Sequence, residues 1–331
     1  MRGAAKLSGV TLTVFFFCAT TGAFIHPRHA GDYAHRIFGW RQERIRPALA
    51  NERAASLPNV TFWAWERPED LRFVNQPSEG VAFLGKTLYL RPSDNTRLEF
   101  LPQSVFVRPR FQPLRVAPDA FLTAVVRIET SRSSAPNEFY KSAAVEQHPS
   151  RAVSENQQSP IPFDPPTSAT LARAAAEISS LQNLPGVRAI QIDFDATVSE
   201  RPFYSALLSA VRRNLPSSMP LSITALASWC IADLWLENLP PGTIDEAVPM
   251  LFRLGPDAAD VITFLHSGKE FPVASCRGSL GLSTDERLSN DFLSGRFPGA
   301  SPTWRRKRIY VFSRRAQTQT AVNAILEEWH P

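Results

Sequence analysis

Apolar residues recur along this chain in two periods. Short runs of β-type composition fall at Val60–Glu66, Val81–Leu84, Phe121–Glu129, Val187–Phe194, Pro220–Leu226, Glu246–Leu251, Phe271–Cys276 and Arg308–Phe312, which predicts eight strands. Between the later runs the period becomes helical. Thr170–Leu184 puts Leu171, Ala174, Ile178 and Leu181 on one face, and Pro202–Leu215 puts Phe203, Leu207 and Val211 on one face, with Pro202 suited to a first turn. Pro256–His266 carries Ala258, Ile262 and Leu265 with Gly268 to end it, and Arg315–Trp329 carries Val322, Ile325, Leu326 and Trp329. Strand alternating with helix signals a parallel sheet with crossovers. Eight such strands predict an α/β fold, a (β/α)8 TIM-type barrel irregular in its first half. There, residues 86–118 read as an extra hairpin built from Thr87–Arg91 and Ser104–Arg108.

Polar stretches set the boundaries. Arg2 and Lys6 precede an apolar run, Val10–Ala19, and small residues follow up to Ala23. Residues 1–23 therefore read as a secretory signal peptide or, uncleaved, an N-terminal membrane anchor. Residues 24–58 are arginine-rich and aperiodic, a polar tether, and 59–331 form the barrel domain. Within it, 131–168 is rich in Ser, Pro, Gln, Asn and Glu, and reads as a long disordered insertion. Setting the leader and insertion aside leaves a length close to the ~250 residues typical of such a barrel. The body is expected outside the cytoplasm, periplasmic or extracellular, with the inner membrane as its anchor if the leader stays.

Composition is ordinary for a globular chain at 44% hydrophobic and 20% charged. That excludes disordered, collagenous and polytopic membrane classes. Net charge is +5, with the densest basic patch at Arg305, Arg306, Lys307, Arg308, Arg314 and Arg315. Its aromatic residues, Tyr310 and Phe312, belong to the short apolar strand run that the charges flank, so a solvated flank is expected and no nucleic-acid partner. The six histidines have no metal spacing and there is no Cys-x-x-Cys, so neither a metal nor a cofactor is implied. Cys230 and Cys276 could form one disulfide in an exported body.

The chemistry lies in the strands. In Ile190-Gln191-Ile192-Asp193-Phe194-Asp195 the alternation puts Gln191, Asp193 and Asp195 on one face, turned into the barrel. Arg127 and Glu129 share the inward face of the third strand, Glu66 ends the first, and Ser222 and Thr224 share a face of the fifth. Burying an unpaired carboxylate costs several kcal/mol, so these acids are either paired or used. Arg127 is the natural partner of Asp193. Asp195, Glu129 and Glu66 sit at strand C-termini, where barrel enzymes keep their chemistry, and are the candidate catalytic residues. A carboxylate-held divalent cation at the same three is another reading. Asp193, Trp65, Trp229, Arg253 and Arg277 are candidate substrate-binding residues, the tryptophans as flat platforms and the arginines as orienting groups. Trp63 reads as packing, and Glu200 as a cap.

Several stretches resemble one family. They are Trp63-Ala-Trp-Glu-Arg-Pro-Glu-Asp-Leu71, Val126-Arg-Ile-Glu129, Gln191-Ile-Asp-Phe-Asp-Ala196, Leu221-Ser-Ile-Thr-Ala-Leu-Ala-Ser-Trp-Cys230, Asp245-Glu-Ala-Val-Pro-Met250 and Cys276-Arg-Gly-Ser279. Together, over Val60 to Ser313, they resemble the bacterial domain-of-unknown-function family numbered 3142, DUF3142. The resemblance implies a glycoside-hydrolase-like barrel and carries no established activity. The chitinase-like hydrolases are the nearest chemical comparison, with a fourth strand reading Asp-Gly-x-Asp-x-Asp-x-Glu. Aligned on Asp193 and Asp195, Ile190 stands at the first acid and Thr197 at the catalytic glutamate. The expectation is an exported barrel that binds, or hydrolyses, a carbohydrate or other small hydroxyl-rich ligand of the cell envelope. The alternative is a non-catalytic envelope binding or scaffold protein with a degenerate site.

Overall fold

The computed structural model describes residues 52–91, 104–130, 168–297 and 302–329. The expected leader, the tether up to residue 51 and nearly all of the 131–168 insertion lie outside them. Eight parallel strands form a closed ring: β1 (Val60–Ala64), β3 (Glu79–Arg91), β6 (Phe121–Thr130), β7 (Val187–Asp193), β8 (Leu221–Leu226), β9 (Glu246–Met250), β10 (Ser279–Ser283) and β11 (Arg308–Phe312). β1 closes the ring by pairing with β3 on one side and β11 on the other. Because all eight run the same way, their C-terminal ends share one mouth.

Helices cover the second half. α1 (Ser168–Ser179) precedes β7, α2 (Arg201–Asn214) follows it, and α3 (Ala227–Ile231) follows β8. α4 (Ala258–His266), α5 (Arg287–Leu293) and α6 (Gln319–Glu328) follow β9, β10 and β11. The four helical patterns in the sequence correspond to α1, α2, α4 and α6; α1 and α2 bury their expected stripes, α6 buries Val322 and Ile325, and α4 buries Val261 and Leu265 where Ala258, Ile262 and Leu265 were expected. In the first half no α-helix separates β1 from β3 among the described residues. That connection carries a short strand instead, β2 (Glu69–Leu71), paired in parallel with β5 (Leu114–Val116), which lies just before β6, as a small second sheet.

The extra hairpin is part of a longer strand. β3 slips register between Leu84 and Lys86, then continues to Arg91 beside β6, while β4 (Ser104–Pro109) pairs antiparallel to this extension. The last β1 pair is Ala64 with Phe83, and the last β7 pair is Asp193 with Arg127. The upper ends of β3 and β6, with β4, thus rise past the rim as a three-stranded wall on one side of the mouth.

The seventh strand is not where the apolar pattern put it. Phe271–Cys276 is a loop ending in a 3-10 turn, and the strand is Ser279–Ser283. Phe271, Val273 and Cys276 are buried, which gives the loop its strand-like composition, but Pro272 interrupts the run. The true strand turns Leu280 and Leu282 toward the helices and Ser279, Gly281 and Ser283 inward, so its apolar signal is half as dense. A Cβ on Gly281 would lie 3.3 Å from the Met250 Cα and 3.4 Å from the Pro249 carbonyl, which explains the small residue.

Inside the ring the residues form layers. Trp63, Ala82, Val125, Val248 and Tyr310 pack as the middle apolar layer. Below it Glu246 is almost fully buried, but Arg308 donates to it at 2.7 Å and the Tyr310 hydroxyl at 2.5 Å, so the charge is compensated. The Gln191 amide donates to Ser222 Oγ at 3.2 Å in the same layer. At the strand N-termini Asp245 takes Arg53 Nε at 2.7 Å, Arg212 at 3.5 Å and the Leu221 amide at 2.8 Å. Arg53 also donates to the Ser217 and Gly242 carbonyls, tying the last residues of the expected tether to the barrel floor. Cys230 and Cys276 form a disulfide, with Cα atoms 5.8 Å apart, between the segment after β8 and the one before β10. No helix among the described residues is long and apolar enough to cross a membrane.

Candidate functional site

The inward alternation of β6, β7 and β8 brings Arg127, Glu129, Asp193 and Thr224 to one side of the mouth. Asp193 is the last residue of β7 and is half-buried. The Thr224 hydroxyl donates to its Oδ1 at 2.7 Å, leaving Oδ2 to carry a proton. Burial, then the neighbouring Asp195 charge, raise the Asp193 carboxyl to about 6, with the Thr224 hydrogen bond and Arg127 pulling the other way. Asp195 follows beyond the strand end and is exposed at the rim. Crowding by protein lifts its carboxyl above the usual range as well, opposed by Arg127.

The other two acids are each held by an arginine. Arg127 Nε bonds Glu129 at 2.9 Å on the same strand face, and is thereby committed to Glu129 rather than to Asp193, its cross-strand neighbour in register. Glu66 is exposed after β1 and pairs with Arg108 of the wall. Tyr89 stands opposite Glu129 in register, and the Arg108 guanidinium lies 5.9 Å over its ring. Among the described residues no group of three or more His, Cys, Asp or Glu side chains is arranged to hold a metal ion, so Glu66, Glu129 and Asp195 do not form the cation site weighed from the sequence.

Aromatic rings line the rest of the mouth. Trp65 stacks on Trp63 with centroids 5.9 Å apart and lies 5.4 Å under the Arg127 guanidinium. Phe312, at the end of β11, meets both tryptophans edge-on and stacks on Phe252 at 5.5 Å. Trp63, Phe252 and Phe312, with Thr224, Val248, Met250, Gly281 and Tyr310, border a shallow apolar concavity at the middle layer. Trp63 is buried, as expected for packing, but its indole N–H has no partner among the described residues. Arg253 joins this side, its guanidinium 6.0 Å over Phe312.

Two expected binding residues are elsewhere. Trp229 is 2% exposed, wedged edge-on against Trp235 at 5.1 Å and beneath Arg201, so neither face of its ring is open to a ligand. Arg277 precedes β10 because the strand lies later than expected; it sits at the N-terminal end of the barrel and donates to the Phe271 and Pro272 carbonyls. Glu200 is buried and completes a capping box with Thr197, the cap role expected of it. Tyr89, Arg108, Phe252 and Phe312 escaped the sequence reading. Phe312 was legible, since it shares parity with inward Tyr310; Tyr89 and Arg108 depended on the β3 register slip, which no local pattern marks. No protein-family model matches the chain, and no curated protein matches it.

Proposed function

We propose that this protein is an exported barrel that binds a carbohydrate of the cell envelope at the strand C-termini and hydrolyses it with a carboxyl pair. The observation that carries this reading is the placement of Asp193, half-buried at the strand end with its carboxyl pushed up to about 6 by burial and by the charge of Asp195 beyond it at the rim. Such a pair supplies a proton donor and an ionised partner at one pH. Asp193 protonates the glycosidic oxygen as its bond to the anomeric carbon breaks; a solvent water adds to that carbon, and Asp195, whose anion Arg127 favours, takes the proton that the water gives up. Glu129 and Glu66, bridged to arginines, serve as acceptors for sugar hydroxyls. Trp65 and Phe312, both partly exposed, give the mouth an apolar border against which the less polar side of a sugar ring packs. The disulfide supports an oxidising compartment, and the resemblance to DUF3142 is compatible with the same outline.

The non-catalytic alternative draws on the arginine bridges at Glu129 and Glu66 and on Thr197 at the chitinase-type glutamate position. A screen of the secreted domain against polysaccharides, beside Asp193→Asn and Asp195→Asn, separates the two. Hydrolysis is expected in the parent, with a loss of about 100-fold or more in each variant and glycan binding retained. Its rate should fall as pH rises through about 6. Parent turnover matched by both variants removes the carboxyl pair from the mechanism, and binding without turnover in the parent favours the alternative.

A further inference from the structure

We infer that the ligand of this mouth is anionic, and that Arg253 recognises its carboxylate; the inference deepens the carbohydrate reading above and rests on it. Arg253 is the only non-glycine described residue with positive φ, at 51°. A side-chain-bearing residue in the left-handed region costs ~1 kcal/mol or more, and such residues persist where the surroundings enforce them, often at functional sites. The enforcement here is visible. The Arg253 backbone N–H donates to both carboxylate oxygens of Glu286, each at 3.1 Å, which fixes the turn after β9. That acid is spent on the backbone and not on the guanidinium.

The guanidinium makes no ion pair with any described residue. Its one ring contact is Phe312, 6.0 Å away, and it is exposed at the mouth. The phenyl ring is itself fixed by Phe252 on one side and the tryptophans on the other. A guanidinium laid over an aromatic ring keeps its N–H fork outward, in the geometry that matches a carboxylate with two parallel hydrogen bonds. By contrast, Arg108 and Arg127 at the same mouth are each already bonded to a glutamate. The mouth is therefore polarised. Asp193, Asp195 and Glu129 border it on the β6–β7 side; on the β9–β11 side the Arg253 guanidinium stands on an aromatic platform, beside a Glu286 carboxylate already taken by the Arg253 backbone N–H. Acidic saccharides, whose rings carry a carboxylate among hydroxyls, match that division. Neutral glycans leave the fork unmet.

The test measures binding of the full secreted domain to paired oligosaccharides. One set consists of uronic-acid oligomers, oligogalacturonate and oligoglucuronate among them, and the other of their methyl-esterified, uncharged counterparts. The parent should favour the acidic members by about 10-fold or more. Arg253→Gln should bring the acidic-to-neutral ratio close to one, and Arg253→Lys, which keeps charge and loses the fork, should fall between. A thermal melt of each variant establishes that it is folded. Equal binding of acidic and esterified members by the parent, or a ratio unmoved by Arg253→Gln, overturns the role of Arg253 and leaves the carbohydrate reading standing. Absence of binding to every member of both sets ends the two together.

Discussion

At the scale of single residues, the mouth shows how burial sorts chemically identical groups. Among its carboxylates are Glu66, Glu129, Asp193 and Asp195, of which Glu66 and Glu129 are bridged to arginines. Asp193 is instead crowded by protein and by Asp195, and its one hydrogen-bond partner among the described residues is a hydroxyl. A carboxyl raised from the ordinary value near 4 to about 6 binds more protons folded than unfolded between those pH values. Its ionisation therefore costs stability as pH rises through that window, and the cost is absent below it. Asp193→Asn mimics the protonated form. It should stabilise the protein at pH 7 by about 2 kcal/mol, solvent contact trimming the ~3 kcal/mol that the full rise implies, and by almost nothing at pH 3.5. Urea melts at both pH values check this. Equal effects at the two would mean that Asp193 titrates normally.

At the scale of elements, each segment serves the barrel through what it buries or clamps. β10 fits between β9 and β11 because its inward positions are Ser279, Gly281 and Ser283. Gly281→Val would press two further methyl groups on the β9 backbone, and should cost about 2–3 kcal/mol by denaturant melting. A loss under ~0.5 kcal/mol would show that β9 gives way freely. The disulfide binds two connections that carry little regular structure of their own, the segment after β8 and the loop before β10. Its partners are 46 residues apart, and closing a loop of that size restricts the unfolded chain by about 4 kcal/mol. Replacing both cysteines by alanine should lower stability by about 2–4 kcal/mol, and a reductant should have no effect on the melting temperature of the double variant. A parent that melts identically with and without reductant would show that the bond contributes nothing.

At the scale of the whole molecule, closure depends on residues far apart in sequence. Asp245 is fully buried at the barrel floor between Arg53 and Arg212. Arg53→Ala removes one of its two cations. It should destabilise the protein by about 2–3 kcal/mol, less than an isolated buried charge would, because Arg212 and the Leu221 amide remain. Chemical denaturation reads this directly, and a change below ~0.5 kcal/mol would mean that the N-terminal segment is not part of the floor. The fold class was legible from sequence alone. Strand and helix periods are local properties of the chain, and seven of the eight strand runs, together with the inward parity of Arg127, Glu129, Asp193 and Thr224, follow from side-chain alternation. The burial of Trp229, the position of Arg277 at the opposite end and the Arg127–Glu129 pairing were not legible. Trp229 depends on the outer layer of helices, Arg277 on where β10 begins, and the choice by Arg127 of Glu129 over Asp193 on side-chain geometry across two strands, none of which leaves a periodic trace in a single sequence. Local alternation thus determined which residues point inward. Only the closed ring decided which of them meet at the mouth, because that depends on how strands distant in the chain are aligned.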